Sequence, residues 1–507
     1  MSASTEKKLR QAAREAGTDK KTLAQEKAAQ EQAKSKRRWT IGTAAVAILV
    51  ALVLLLSSPL VYKATAYTVG DRKYSTAEVS YRYANQYLNF ANQYGSYASM
   101  FGLDTANGTA GLDKQDCPFN DGSWKDYFLD AAKNEMQQSK AMVDYAAANG
   151  IALDEDELAE VEAAFEGLDE RAASYGYANA DKMMAANYGA GVNVALVKAA
   201  MRESALAGKA MEALSDSFTY TEQELEEQYQ SYEGMRDYFD YSYVTVEAHA
   251  EEGSEATEES KAEAQKTAEA VKAAYAASEG EDCAQRLSDA AAAQGLSATR
   301  SSTATGSSLI AASEWMMDAS RKAGDITVQA DADGDHVYVV LFIGRNDNHY
   351  KPVSVRHILI KAEAAEDGTY TEAAKAAAKA KAEEILAEFE AGNKTEESFA
   401  ALANLYSEDT GSNTNGGLYE NITKGQMVSE FDAFCFAGHQ SGDTGIVYGE
   451  SASYAGYHVI YFVGESEQLY SSTIAENDLR STALTEKLEE LTAAYPVKEG
   501  FGMKFVG

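Results

Sequence analysis

The sequence predicts an α+β protein with a transmembrane helix near its N-terminus. Three observations support this prediction. An uncharged apolar run follows a basic tail, helical periodicity dominates residues 75 to about 235, and an order of strand, helix and closing strand occurs twice after residue 236. At 507 residues, the chain is long enough for about three domains.

The charge distribution favours a retained membrane anchor. Residues 1–38 carry 11 Lys and Arg against 5 Asp and Glu, although the whole chain has a net charge of −34. About 20 uncharged residues within 39–62 can cross a hydrocarbon core as a helix, and the basic residues before them place the N-terminus in the cytoplasm. The alternative is a signal peptide cleaved near Ala64-Thr65-Ala66. In both cases the bulk of the chain is extracytoplasmic.

The acidic surface and the few cysteines exclude several classes of function. A net charge of −34 disfavours a nucleic-acid partner, because the phosphates would be repelled over most of the surface. Cys117, Cys283 and Cys435 match no zinc spacing and no CxxC motif, so they predict buried free thiols. We therefore expect neither a metal nor a cofactor.

Residues 63–235 predict a helical domain that opens with a hairpin over 67–74. Its helices begin at capping boxes, of which Ser75-Thr-Ala-Glu78 is the first. Several Tyr and Met side chains are concentrated in a short stretch: Tyr175, Tyr177, Met183, Met184 and Tyr188. They predict ordinary core packing or, as the alternative, an adaptable apolar surface for unfolded chains.

Residues 236–466 read as an internal repeat of about 110 residues. In the first copy a strand over 238–246 and a helix over about 256–278 precede a closing strand over 337–342. The second copy has a strand over 353–361, helices over 371–391 and about 395–406, and a closing strand over 458–463. This order predicts two similar α/β domains, covering 236–348 and 349–466.

The second copy contains a series of motifs in a characteristic order. They are His357-Ile-Leu-Ile, Tyr406-Ser-Glu-Asp409, Gly416-Gly417-Leu418, Gly425-Gln-Met427 followed by Phe431, Cys435-Phe436, and Gly456-Tyr-His458-Val-Ile. Together they resemble the parvulin family of peptidyl-prolyl isomerases across roughly 350–465. The resemblance implies isomerase activity on X–Pro bonds without a metal or cofactor.

The resemblance also implies roles for particular residues. His357 and His458 would lie side by side and hydrogen-bond to each other, with Asp409 facing the substrate carbonyl. An apolar proline pocket would be formed by Leu418, Met427, Phe431 and Phe436. Gly-Gly-Leu418 lacks a residue that many members carry between the glycines and the leucine. The alternative is that both histidines satisfy core hydrogen bonds in a binding module.

The first copy lacks most of these motifs. Tyr243 occupies the place of His357 and only His336 matches His458, which predicts a degenerate parvulin-like domain without isomerase activity. Residues 67–235 resemble the N-terminal chaperone domain of SurA- and PrsA-type foldases. In the tail, 467–507, an apolar stripe through Leu484, Leu488, Leu491 and Tyr495 predicts a helix, and residues 501–506 predict a short strand. The resemblance implies that this tail returns to the helical domain. A free tail is the alternative.

These inferences predict a membrane-anchored extracytoplasmic foldase that binds exported unfolded polypeptides and isomerises their X–Pro bonds. The resemblance to PrsA-type proteins implies a Gram-positive cell surface. A non-catalytic holdase and a scaffold of a secretion complex are the alternatives. The expected segments are a basic cytoplasmic tail (1–38), a transmembrane helix in contact with lipid (39–62), a chaperone domain (63–235), a degenerate parvulin-like domain (236–348), an isomerase domain (349–466) and the returning tail (467–507).

Overall fold

The computed structural model describes residues 3–16, 27, 34, 36–50, 58–248, 256–310, 312–366, 368–451 and 453–506. Residues 36–50 are helical, whereas residues 51–57 of the predicted membrane span lie outside the described residues. Among the residues described, none of the helices is long and apolar enough to cross a membrane. The chain divides into a split unit, residues 1–218 with 482–507, and an inserted unit, residues 219–481.

The split unit contains a small antiparallel sheet whose strands come from both ends of the chain. The predicted hairpin forms β1 (Thr65–Val69) and β2 (Arg72–Ser75), with Gly70 in the left-handed region at the turn. A third strand near the C-terminus, which we call β11 (Val497–Glu499), pairs with the free edge of β1. Ser75 then caps the next helix through the predicted box with Glu78.

Helices make up most of the split unit. They are Ala3–Glu15, 36–50, Pro59–Tyr62, Thr76–Tyr94, Trp124–Asn149, Glu155–Ala163, Leu168–Ser174, Ala180–Tyr188 and Val194–Asp216, with 3-10 turns at Gly95–Phe101, Leu112–Lys114 and Phe501–Phe505. The side chains of the Tyr and Met stretch differ in burial. Met183 and Met184 are buried in a core cluster, whereas Tyr175 is 73 % exposed. The methionines therefore follow the core-packing interpretation.

The inserted unit contains the two copies of the repeat, which we call the first module (236–348) and the second module (349–466). The first sheet comprises β3 (Tyr238–Glu247), β4 (Thr299–Thr305), β5 (Ile326–Ala330) and β6 (His336–Asn346). The second comprises β7 (Val353–Lys361), β8 (Leu418–Ile422), β9 (Thr444–Ser451) and β10 (Tyr454–Glu465). Their strand orders, β4-β3-β6-β5 and β8-β7-β10-β9, are equivalent and antiparallel. The repeat seen in the sequence is therefore a repeat of topology.

The helices of the inserted unit lie between these strands and at its two ends. They are Glu222–Gln230, Glu258–Ala277, Cys283–Ala292, Ser313–Met317, Glu372–Ala391, Glu396–Tyr406, Ser429–Cys435 and the first part of Tyr470–Ala493. The last of these continues into the split unit from Thr482 onward.

The two faces of the second module's sheet differ in what covers them. Alternate residues of β7, such as Ile358 and Ile360, pack against the two long helices through Phe389 and Phe399. The remaining positions, His357 among them, point to the opposite face. There the short helix Ser429–Cys435 supplies the cover. The side chains that could take part in a reaction therefore lie on the sheet face away from the two long helices.

Candidate active site

Two buried histidines form the floor of the site. His357 on β7 is 3 % exposed and His458 on β10 is 4 % exposed. Their Nδ1 atoms lie 3.1 Å apart, and the ring centroids are 5.3 Å apart with nearly parallel planes. The register explains the contact, because His357 faces Ile460 across the ladder and His458 is two positions from it on the same face.

Asp409 binds the other end of His357. It follows the helix Glu396–Tyr406, and its Oδ2 lies 3.0 Å from His357 Nε2. Ser412 Oγ at 2.5 Å and Tyr419 Oη at 3.0 Å donate to the same oxygen. The hydrogen bonds from His357 first, and then from Ser412 and the Gly411 N–H, outweigh the effect of burial and hold the pKa of Asp409 well below its usual range. The carboxylate is therefore ionised, and it fixes the proton of His357 on Nε2.

The direction of the hydrogen bonds between the histidines follows from this. When His357 carries a single proton, on Nε2, its Nδ1 is an acceptor, and His458 Nδ1 is then the donor. Burial, followed by the neighbouring His357, lowers the pKa of His458 to about 3. Near neutral pH His458 is therefore uncharged, so its ring carries a single proton on one of its two nitrogens.

The glycine pair of the predicted motif places Asp409 and Ser412 over the histidine. The N–H of His357 donates to the carbonyl of Gly417 at 2.8 Å, and Gly417 N–H donates to that of Ser412 at 2.9 Å. Gly417 has φ +71°, and a Cβ at this position would collide with the carbonyl oxygen of His357. Only glycine lets the loop approach β7 this closely.

Apolar and aromatic side chains line the space beside the histidines. Phe431 is 2 % exposed and meets both imidazoles edge-on, with centroids 5.4 Å from His357 and 5.2 Å from His458. Met427 and Phe436 are partly buried in the same apolar cluster. Phe436 also contacts Tyr350 in front of β7, at 5.4 Å between centroids. Three of the four predicted pocket residues thus belong to one wall.

Leu418 is the predicted pocket residue that the structure places elsewhere. It pairs with Arg356 on β7, so its side chain is on the sheet face opposite to His357. Tyr419 takes the expected position instead, with its ring centroid 5.1 Å from that of His357 and its hydroxyl on Asp409. The prediction was displaced by one residue because the usual spacer after Gly416-Gly417 is missing.

The equivalent positions of the first module carry tyrosines. Tyr243 pairs with Val340, just as His357 pairs with Ile460 in the second module. His458 lies two residues before Ile460, so its counterpart lies two residues before Val340 and is Tyr338. This corrects the match of His336, whose partner across the ladder is Glu247. His336 instead binds Asp331 through Nδ1 at 2.8 Å. A histidine pair is thus absent from the described first module.

Other chemistries find little support at this site. Burial raises the pKa of the Cys435 thiol to about 12, so it is not a ready nucleophile. Cys117 is also buried, whereas Cys283 is only partly so, and all three are free. Within the part of the chain that the structure describes, no group of His, Cys, Asp and Glu side chains could hold a metal ion.

We expect the second module to lose stability as the pH falls from about 6.5 toward 3. His458 has a pKa of about 3 in the fold and near 6.5 when unfolded. The unfolded chain therefore binds the proton first, and folding free energy on the order of a few kcal/mol is lost across this window. Amide exchange of β7 and β10 in the full chain at pH 7 and 4.5 measures the loss. His458→Gln should flatten the dependence, and an unchanged dependence would contradict the assignment.

The imidazole pair, the carboxylate beside it and the apolar wall all lie in the module whose motifs resemble the parvulin, or PPIC-type, class of peptidyl-prolyl isomerases. Residues 340–465 match the sequence profile of the PPIC-type PPIase domain. The second module is thus an isomerase domain of that type.

The particular proteins to which the chain is similar are foldases named PrsA. Foldase protein PrsA 3 of Bacillus cereus is 32% identical over 149 residues, which are 29% of this chain and 44% of that protein. PrsA 1 of Listeria innocua is 34% identical over 117 residues, which are 23% and 32% of the two chains. A crystal structure of PrsA from Bacillus cereus has 27% identity and a TM-score of 0.18, covering 29% of this chain and 49% of that one. The chain spans less than half the length of the curated relatives it matches.

Proposed function

We propose that this chain is a membrane-anchored extracytoplasmic foldase that binds exported, unfolded polypeptides and isomerises their X–Pro bonds. The observation that carries the proposal is the cluster of His357, His458 and Asp409 beside Phe431, in the module that matches the isomerase profile. The basic tail and apolar run before residue 63 support the anchor, and the similarity to PrsA foldases supports the choice of substrate.

The reaction requires no covalent step. Rotation about an X–Pro bond must overcome a barrier of about 18–20 kcal/mol, which arises from amide resonance. The wall of Met427 and Phe431 would hold the proline ring and exclude water, which favours the less polar, twisted amide. His357, His458 and the hydrogen-bonded carboxylate of Asp409 would provide a fixed electrostatic environment for the turning carbonyl. Asp409 acts here through charge and hydrogen bonding, not as a nucleophile.

Turnover of a short X–Pro peptide by the full chain tests the catalytic part of the proposal. We expect turnover that is unchanged in Tyr243→Phe and Tyr338→Phe, because these residues belong to the first module. Proline-limited refolding of an unfolded protein, measured in parallel, should be accelerated. Suppressed aggregation without turnover would favour the holdase instead. Neither effect would favour a secretion scaffold.

Protease accessibility tests the anchor and its orientation. Protease added to intact protoplasts should remove residues 63–507 and spare the basic tail, because the positive charges before the apolar run hold the N-terminus inside. Immunodetection of tags at the two ends reports both products. Digestion that requires prior lysis would rule out the extracytoplasmic location.

A further inference from the structure

Tyr454 contacts the histidine pair from the side opposite to Asp409. Its hydroxyl lies 3.0 Å from His458 Nε2, and the two rings meet edge-on with centroids 5.7 Å apart. Tyr454 opens β10, four residues before His458, so the two side chains are on the same face of the strand. No motif in the sequence indicated this contact.

Two glycines leave the space that the tyrosine occupies. Gly456 lies between Tyr454 and His458 on β10, and it faces Gly449 of β9 across the ladder. A Cβ on Gly449 would come within 2.6 Å of His458 Nε2 and 3.1 Å of the Tyr454 hydroxyl. The two glycines therefore leave a strip of the sheet face without side chains, and the Tyr454 ring lies along it to reach the His458 imidazole.

The hydroxyl completes an ordered chain of hydrogen bonds. With a single proton on His357, Asp409 accepts from His357 Nε2, and His357 Nδ1 accepts from His458 Nδ1. The unprotonated nitrogen of His458 is then Nε2, a buried acceptor to which the O–H of Tyr454 donates. Without that donor, the acceptor would have lost a partner inside the protein, which is costly. The imidazole would then be free to rotate or to carry its proton on Nε2.

We propose that Tyr454 is a positioning residue of the isomerase site, which acts by holding the proton of His458 on Nδ1 and its ring in one orientation. The inference deepens the proposed function and rests on it. Tyr454 belongs to the β9–β10 hairpin and not to the wall that would receive proline. Its effect on the substrate therefore passes through His458.

Tyr454→Phe removes the hydroxyl and keeps the ring. In the full chain labelled with ¹⁵N at histidine, the wild type should show His458 as a single neutral Nδ1–H tautomer at pH 7. The variant should show mixed tautomers and a kcat/KM on an X–Pro peptide lowered about fivefold to tenfold, as the loss of one neutral hydrogen bond implies. Tyr448→Phe is the matched control. Tyr448 lies on the same hairpin but contacts Lys375 and Glu450 on the other sheet face.

Gly449→Ala provides a second variant, because its methyl group would come within 2.6 Å of His458 Nε2 and 3.1 Å of the Tyr454 hydroxyl and should separate the two groups while Tyr454 remains. It should reproduce the mixed tautomers of Tyr454→Phe. An unchanged His458 spectrum in Tyr454→Phe overturns the inference, even if turnover falls. Mixed tautomers with full turnover overturn the role in the reaction. If the wild type has no turnover, the proposed function fails by itself, and a spectrum that shows a different tautomer would separately refute the role of Tyr454.

Discussion

Replacement of Asp409 by alanine should lower kcat/KM on a short X–Pro peptide about 100-fold while the second module remains folded. The change removes the acceptor for His357 Nε2, Ser412 and Tyr419 at once. His357 then has no fixed tautomer, and the negative charge beside the reacting carbonyl is lost. Removal of one preorganised electrostatic group commonly costs two orders of magnitude in rate. Turnover and amide exchange on the same sample measure both effects.

The controls separate charge from shape. Asp409→Asn keeps the size of the side chain but places an N–H donor where the donors of His357, Ser412 and Tyr419 already converge. The turnover of this variant should therefore also be lowered. Asp443→Ala is the matched substitution, because Asp443 lies on the turn before β9 and contacts Gln440. It should retain full turnover. A folded Asp409→Ala protein with normal turnover would remove Asp409 from the site.

Deletion of residues 482–507 should lower the melting temperature of the split unit by about 10–20 °C. The deletion removes β11 from the free edge of β1 and takes Val506 out of the core. It also removes the apolar stripe Leu484, Leu488 and Leu491, which packs beside Met142 and Ala207. The loss of this apolar burial should lower the free energy of unfolding by about 5 kcal/mol. For a unit of more than 150 residues, this change lowers the melting temperature by about 10–20 °C. Turnover on short peptides should be unaffected.

Point variants give the same test without truncation. Leu488→Ser should lower the melting temperature, whereas Glu489→Ser, on the exposed side of the same helix, should not. Calorimetry of the full chain resolves the two cases. A split unit that melts as before in the truncated protein would make the tail a surface appendage.

The sequence was informative wherever a pattern repeats along an element. Alternating apolar residues located β7 and β10 closely, and capping boxes such as Ser75 to Glu78 located the starts of helices. The histidine pair was implied by the resemblance to parvulins, and His357 also stands out as a polar residue in an otherwise apolar strand. The alternation of side chains along a strand fixes the sheet face on which such a residue lies.

The two wrong residue assignments, Leu418 and His336, share one physical cause. In a strand, a shift of one residue moves a side chain to the other face of the sheet, and a shift of two moves it to the next position on the same face. Leu418 was predicted where Tyr419 lies, and His336 where Tyr338 lies, because sequence matching cannot fix the ladder register. Tyr454 was missed because its hydroxyl reaches His458 through space left by Gly449, a residue of the neighbouring strand.

The discontinuity of the split unit has a consequence for the order in which the chain can fold. The hydroxyl of Thr76 donates to the carbonyl of Gly502, 426 positions away. During synthesis the first part of the split unit therefore emerges long before its closing strand, whereas all the strands of the inserted unit emerge before that closing strand. Contacts this distant are slow to form from a disordered chain. An inserted unit that has already folded shortens the effective loop and reduces the entropy of closure. The unit whose synthesis begins first would then be the last to reach its native state.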